Sequence, residues 1–157
     1  MKQKLMAELS EFLAFVSSLR DLQDEVWFAP IGEGKWSIHD IVTHLMRWDE
    51  YFNTVTYSGL LSRENSELKE HPDYLAYNEQ SVLYGKGKSK REIIEETERN
   101  RRLLIDNLSK LEERAFAKVY PGEKGFTLAS YLEAFFTSHD KHHMKQMQDF
   151  IFSQRDC

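Results

Sequence analysis

Disulfide cross-links are excluded first. The sequence holds one cysteine, Cys157, so no intramolecular pair exists to staple the fold. No apolar run approaches the roughly 18 residues that a membrane-spanning helix needs, and no signal-peptide pattern opens the chain, so a cytoplasmic protein without a membrane partner is expected. Positive charge is also in short supply. Lys and Arg number 21 against 26 Asp and Glu, a net charge of −5 with histidine neutral. That gives no general attraction to a phosphate backbone and argues against nucleic-acid binding. The one basic cluster, Lys86, Lys88, Lys90 and Arg91, reads as a solvated turn and helix start. Strand signals are nearly absent, and the chain has neither an internal repeat nor a low-complexity segment. What is present, 157 residues of which 41% are hydrophobic and 30% charged, suffices for one domain, residues 1–157, with a core of its own.

Apolar residues recur at helical spacing. Leu5, Leu9, Phe12, Val16 and Leu19 form the stripe of a first helix over about residues 2–22. After the patch Val26-Trp27-Phe28, Pro30, Gly32 and Gly34 turn the chain. Ser37, with Asp40 three residues on, opens a second helix with an acidic capping box. Its stripe runs Ile38, Ile41, Val42, Leu45, Trp48, Phe52 and Val55, and Gly59 ends it. The polar stretch with Arg63, Glu64, Asn65 and Ser66 reads as a connection. Pro72 suits the start of a further helix through Tyr74, Tyr77 and Val82, which breaks or kinks at Gly85-Lys86-Gly87. Ser89 and Glu92 form a capping box for the run Ile93, Ile94, Thr97, Leu104, Leu108 and Leu111, with Arg99, Arg101 and Arg102 on the polar side. Thr127 caps the last helix, whose stripe is Leu128, Leu132, Phe135, His139, Met147 and Phe150. The sum is an all-α bundle of four main helices, the third interrupted at Gly85.

Six histidines occur: His39, His44, His71, His139, His142 and His143. His139 and His143 stand four residues apart, offset by about 40° around a helix and about 6 Å along it, so one metal ion can reach both rings. Both continue an apolar face. His44 sits beside Ile41, Leu45 and Trp48 on the flank of the second helix, one turn after Asp40, whose carboxylate is placed to accept from the ring nitrogen not used for metal. Three imidazoles in a core without a metal would be costly. Sequence spacing alone leaves open whether the two elements meet. His39 is expected on the exposed side, His142 off the face of its neighbours and His71 in a loop, all three as bystanders. Asp49 and Glu50 are candidate acid/base groups, for which a solvated helix face is the simpler reading.

The segment from Gly34 to Leu45, with Trp36-Ser37 and His44-Leu45, resembles the first motif of the DinB/YfiT-like four-helix-bundle family. His139-Asp140-Lys141-His142-His143 followed by Gln146 resembles the second, a His-x-x-x-His pair. The resemblance implies an up-down-down-up bundle with a long connection between helices 2 and 3. It also implies a divalent metal, zinc or nickel, held by His44, His139 and His143, and it makes a homodimer the expected assembly. Members include S-transferases that use low-molecular-weight thiols such as bacillithiol.

The expected function is therefore a metal-dependent transferase using such a thiol on a small-molecule substrate, with no catalytic side chain assigned. A metal-dependent hydrolase is the alternative. A non-catalytic bundle, metal-stabilised or binding a small molecule among Trp48, Phe135 and Phe136, is the rival from another class. Core packing is the simpler reading of Phe135.

Overall fold

The computed structural model describes residues 1–62, 73–121 and 125–155. Arg63, Glu64, Asn65, Ser66, His71, Pro72 and Cys157 lie outside the described residues. Helix α1 covers Lys2–Ser18 and buries Leu5, Leu9, Phe12 and Val16; a 3-10 turn, Leu19–Asp21, ends it. Helix α2 begins with the expected capping box, in which the Ser37 hydroxyl accepts from the Asp40 N–H and the Asp40 carboxylate accepts from the Ser37 N–H. It is α-helical over Ile38–Tyr51, widens to a π turn over Phe52–Thr56 and resumes over Tyr57–Leu61. It thus passes Gly59, because Leu60 is still buried in the core. Helix α3 is Tyr74–Gly85. Helix α4, Lys90–Ser109, opens on the Ser89/Glu92 capping box. Helix α5 starts at Leu128–Leu132, capped by Thr127, passes a π turn at Glu133–Thr137 and continues over Ser138–Arg155.

Cross-helix contacts give the directions. Lys2 reaches the carbonyls of Ser109 and Leu111, whereas Ser17 and Arg20 bond Glu98, so α1 and α4 are antiparallel. Asn53 takes up both the Asn100 carbonyl and Asn107, while Asp49 meets Arg101, so α2 and α4 run the same way. His139 faces His44 and Phe136 faces Phe52, which makes α5 antiparallel to both. The four-helix order is up-down-down-up.

Helix α3 is not the first half of the third bundle helix, as the sequence stripe implies. It runs antiparallel along α2: Trp48 bonds Asn78, the Tyr77 hydroxyl donates to the Arg47 carbonyl, and His39 meets the Gly85 carbonyl. Gly85 is needed for this close approach, since a Cβ there would lie 2.7 Å from Thr43 Oγ1. Gly87, at φ +84°, then supplies the left-handed turn that sends the chain into α4. The basic cluster at this turn, read from the sequence as a solvated turn and helix start, carries ion pairs: Lys88 with Glu96, Lys90 with Asp24 and Arg91 with Glu95. No helix among the described residues is long and apolar enough to cross a membrane.

The core falls into two apolar clusters. One gathers Leu5, Leu9, Phe52, Leu104, Leu132 and Phe136; the other gathers Phe12, Trp27, Ile41, Leu45, Ile94 and Met147. Between them lies a charged layer. Arg101 of α4 is 1% exposed. Its Nε and Nη2 donate to Asp49 of α2 at 2.7 and 3.0 Å, and its Nη1 and Nη2 donate to Asp140 of α5 at 2.7 and 3.1 Å. Nη1 also reaches the Leu9 carbonyl of α1 at 3.3 Å, and the guanidinium stacks 4.3 Å from the Phe12 ring centre. Arg101 therefore sits inside the bundle rather than on the polar side of α4, because it occupies the inward stripe Ile94, Thr97, Arg101, Leu104 and Leu108.

Candidate metal centre

His44 projects from the buried face of α2 and His139 and His143 from the outset of the last stretch of α5. One nitrogen from each of the three rings lies within 4.8 Å of the others. His139 Nε2 is 3.4 Å from His44 Nε2 and 3.0 Å from His143 Nε2. A zinc ion with bonds of 2.0–2.1 Å in tetrahedral array separates its nitrogen ligands by about 3.3 Å, so these spacings suit one divalent ion.

The π turn at Glu133–Thr137 explains how α5 serves two purposes. A π turn accommodates one residue more than an α turn and shifts the phase of the helix after it. Leu132, Phe136 and Asp140 then follow one another inward, which rotates His139 to the flank, beside His44. The sequence stripe through Phe135 and His139 is off by one residue for that reason. Phe135 is 39% exposed and lines a cavity, so it is not core packing.

Burial, followed by the neighbouring imidazoles, pushes His44 down to about 3. Asn78 acts in the other direction on that ring. Burial and then His143, His142 and Arg101 push His139 down to about 4. His143 is lowered too, chiefly by burial. All three rings are thus neutral near pH 7 and carry a lone pair each. His143 Nδ1 is 2.8 Å from Gln146 Oε1, which holds its hydrogen on that side and leaves Nε2 for the centre. His44 Nδ1 is buried without a hydrogen-bond partner among the described residues. The Asp40 carboxylate expected to meet it accepts from Ser37 N–H instead, because the capping box claims it. Neutral rings cannot satisfy this cluster by themselves: one hydrogen on His139 Nε2 serves only one of its two neighbours. A cation that accepts all three lone pairs removes the conflict, so the donor set fits a divalent metal.

The bystanders divide. His142 is exposed, as expected. His39 is not on an exposed side but 4% exposed: the Trp27 indole N–H donates to its Nδ1 at 2.7 Å and its Nε2 meets the Gly85 carbonyl at 2.8 Å. It joins the Trp27 turn and α3 to α2, away from the metal ligands. Asp49, expected on a solvated face, is buried and held by Arg101. Burial raises it to about 6 against the pull of that guanidinium. It does not line the cavity. Glu50 pairs with Arg47.

The three histidines form one wall of a cavity of about 470 Å³. The other walls are mostly aromatic, including Trp36, Trp48, Tyr51, Tyr131 and Phe135, and Asn78 contributes an amide. No Asp, Glu, Lys or Arg among the described residues lines it. Trp48 Nε1 donates to Asn78 Oδ1 at 2.7 Å, which orients the carboxamide. Trp48, Phe135 and Phe136, named from the sequence as a candidate small-molecule cavity, do line it, whereas Asn78 was missed as a site residue because α3 lies across α2 rather than in the four-helix array.

The sequence matches the family model of the DinB superfamily over residues 8–147. Among solved structures, YfiT from Bacillus subtilis, described as a probable metal-dependent hydrolase with an unusual four-helix bundle topology, superposes with a TM-score of 0.74 at 18% identity, covering 98% of this chain and 86% of that one. No curated protein matches the chain.

Proposed function

The chain belongs to the DinB superfamily, and from that premise we propose that it is a metal-dependent enzyme whose three-histidine centre works on an uncharged, largely aromatic small molecule, with transfer to a low-molecular-weight thiol of the bacillithiol type as the first reading. His44, His139 and His143 would hold the ion, zinc or nickel. When bound, such an ion supplies a Lewis acid that lowers the pKa of a thiol or water beside it. The single observation behind the first reading is the lining of the cavity. Hydrolysis is helped by a general base close to the attacking water, and among the described residues no carboxylate reaches the cavity. A thiol is already ionised to a useful degree near neutral pH once its pKa falls, so it needs no such base.

In this reading the chain's residues act by binding and exclusion. Trp36, Trp48 and Phe135 stack on the acceptor and keep water out. Asn78, its oxygen held by Trp48, offers its NH2 to an acceptor oxygen on the substrate. The thiol sulfur attacks the electrophilic carbon, a C–S bond forms as the bond to the leaving group breaks, and the thiol proton passes to solvent. Hydrolysis is the second reading, favoured by the likeness in fold to YfiT. A homodimer in the cytoplasm completes the proposal; light scattering tests the assembly.

The deciding experiment incubates zinc- and nickel-loaded protein with bacillithiol, cysteine or glutathione and a neutral aryl electrophile, and separately with aryl esters and amides without thiol. Thiol-dependent loss of the electrophile supports transfer. Ester or amide cleavage without thiol moves the assignment to a hydrolase. Turnover in neither arm, with metal bound, favours a non-catalytic bundle.

A further inference from the structure

The ligands of the proposed metal centre come from two helices that are not joined directly, and their separation must be held to within about half an ångström for three bonds to form at once. The apolar clusters above and below are held by a non-directional force, so they fix that separation less specifically than bonds of fixed direction do. One group in the bundle does have fixed direction and touches both helices. Arg101 offers a planar fork; one edge binds Asp49, five residues after His44 on α2, and the other binds Asp140, the residue next to His139 on α5.

The two Asp carboxylates and one guanidinium leave a formal charge of −1, 2% exposed or less at each member. Asp140 acts on His143 and Arg101 on His139 through space, so the layer adjoins the histidines. Buried ion pairs of this kind add little net stability and are often replaceable by apolar side chains without loss. Stability alone therefore does not account for a four-helix charged layer between the two apolar clusters.

We propose that Arg101 is a positioning residue for the three-histidine centre: by bridging Asp49 and Asp140 it sets the spacing of α2 and α5 and so the distance from His44 to the His139/His143 pair. The proposal rests on the reading of those histidines as metal ligands. Arg101 itself touches neither the ion nor the cavity.

Two variants test it, with zinc affinity measured by competition against a chromophoric chelator and the melting temperature measured on metal-free protein. Arg101→Lys keeps the charge of the layer but loses the fork, because an ammonium cannot bond two carboxylates edge-on. Its zinc affinity should fall about tenfold to a hundredfold, the loss seen when groups supporting metal ligands are removed. The triple variant Asp49→Leu, Arg101→Met, Asp140→Leu replaces the layer with apolar side chains. Its metal-free melting temperature should be kept or raised, while its zinc affinity drops at least as far. In both variants cobalt(II), substituted for zinc, should show weakened and shifted visible absorption bands. Zinc affinity equal to that of the native chain in either folded variant overturns the proposal and leaves the layer a packing element. If the triple variant does not fold, Arg101→Lys decides alone. A native chain that binds no zinc would instead refute the metal reading, which separates the two failures.

Discussion

Two polar clusters, one buried and one at the wall of the cavity, lie side by side in this bundle, and they are built to opposite rules. The layer of Asp49, Arg101 and Asp140 is closed: the guanidinium makes four bonds to two carboxylates and one to the Leu9 carbonyl. The cluster of His44, His139 and His143 is open. Its rings are held neutral, their Nε2 atoms crowd together at 3.0 and 3.4 Å, and His44 Nδ1 finds no partner among the described residues. Both clusters draw on α2 and α5. Buried polar groups are ordinarily paired, so the closed cluster is complete as a piece of protein, whereas the open one asks for a ligand. Burial and charge therefore do not mark a functional site by themselves; the unmet bonding capacity does.

The largest effect that can break the comparison is on folding. Arg101→Ala leaves Asp49 and Asp140 as buried carboxylates without their guanidinium, and urea denaturation should show a loss of about 3–5 kcal/mol. A loss below 1 kcal/mol would mean that the layer is already open to water. His139→Ala in metal-free protein should cost far less, because it relieves a crowded cluster. Adding zinc reverses the order: a metal at a thousandfold excess over Kd stabilises the native chain by about 4 kcal/mol, and the histidine variant should gain almost none of it. A smaller effect separates the remaining histidines. His39→Ala strands the Trp27 indole N–H, leaves the Gly85 carbonyl to the Lys88 N–H, and should cost about 1–3 kcal/mol while leaving zinc affinity unchanged. His142→Ala should stay within about 0.5 kcal/mol on both counts.

The pH dependence sharpens the contrast further, since the clusters titrate with opposite sign. His44 is depressed to about 3 in the fold, against about 6.5 when unfolded. Between those values the unfolded chain binds the extra proton, so stability rises with pH through the window and is level above it. Asp49, raised to about 6 from an unfolded value of about 3.9, works the other way over the upper part of that range. The difference between native and His44→Ala isolates the histidine. Below about pH 6.5, metal-free native protein should lose about 1.4 kcal/mol per pH unit relative to the variant. A flat difference curve in thermal melts from pH 7 to 4 would show that His44 is not held neutral.

Much of this was legible in the sequence, and the misses have physical causes. The caps at Ser37, Ser89 and Thr127, the helix order and the three candidate ligands followed from spacing, cap chemistry and family resemblance, and the helical frame then brought the three rings together. The charged layer was missed although its signal was present: Asp49 lies on the inward stripe between Leu45 and Phe52, and Arg101 between Thr97 and Leu104. A charge at a stripe position reads as a solvated residue unless its partner is known, and the partners are 52 and 39 residues away. Phe135 was misplaced by the π turn, whose extra residue leaves no mark in a simple periodicity. The antiparallel run of α3 was hidden because Gly85 reads as a breaker, while its main duty is close approach to Thr43.

The most direct test of the central claim is a titration of metal-free protein with cobalt(II), followed by its visible absorption, for the native chain and for His44→Ala, His139→Ala and His143→Ala. One equivalent per chain, with bands of a low-coordinate nitrogen-rich site in the native protein and loss of most binding in each variant, is the expected result. Saturation of all three variants with the native affinity, or no binding by the native chain, would contradict it.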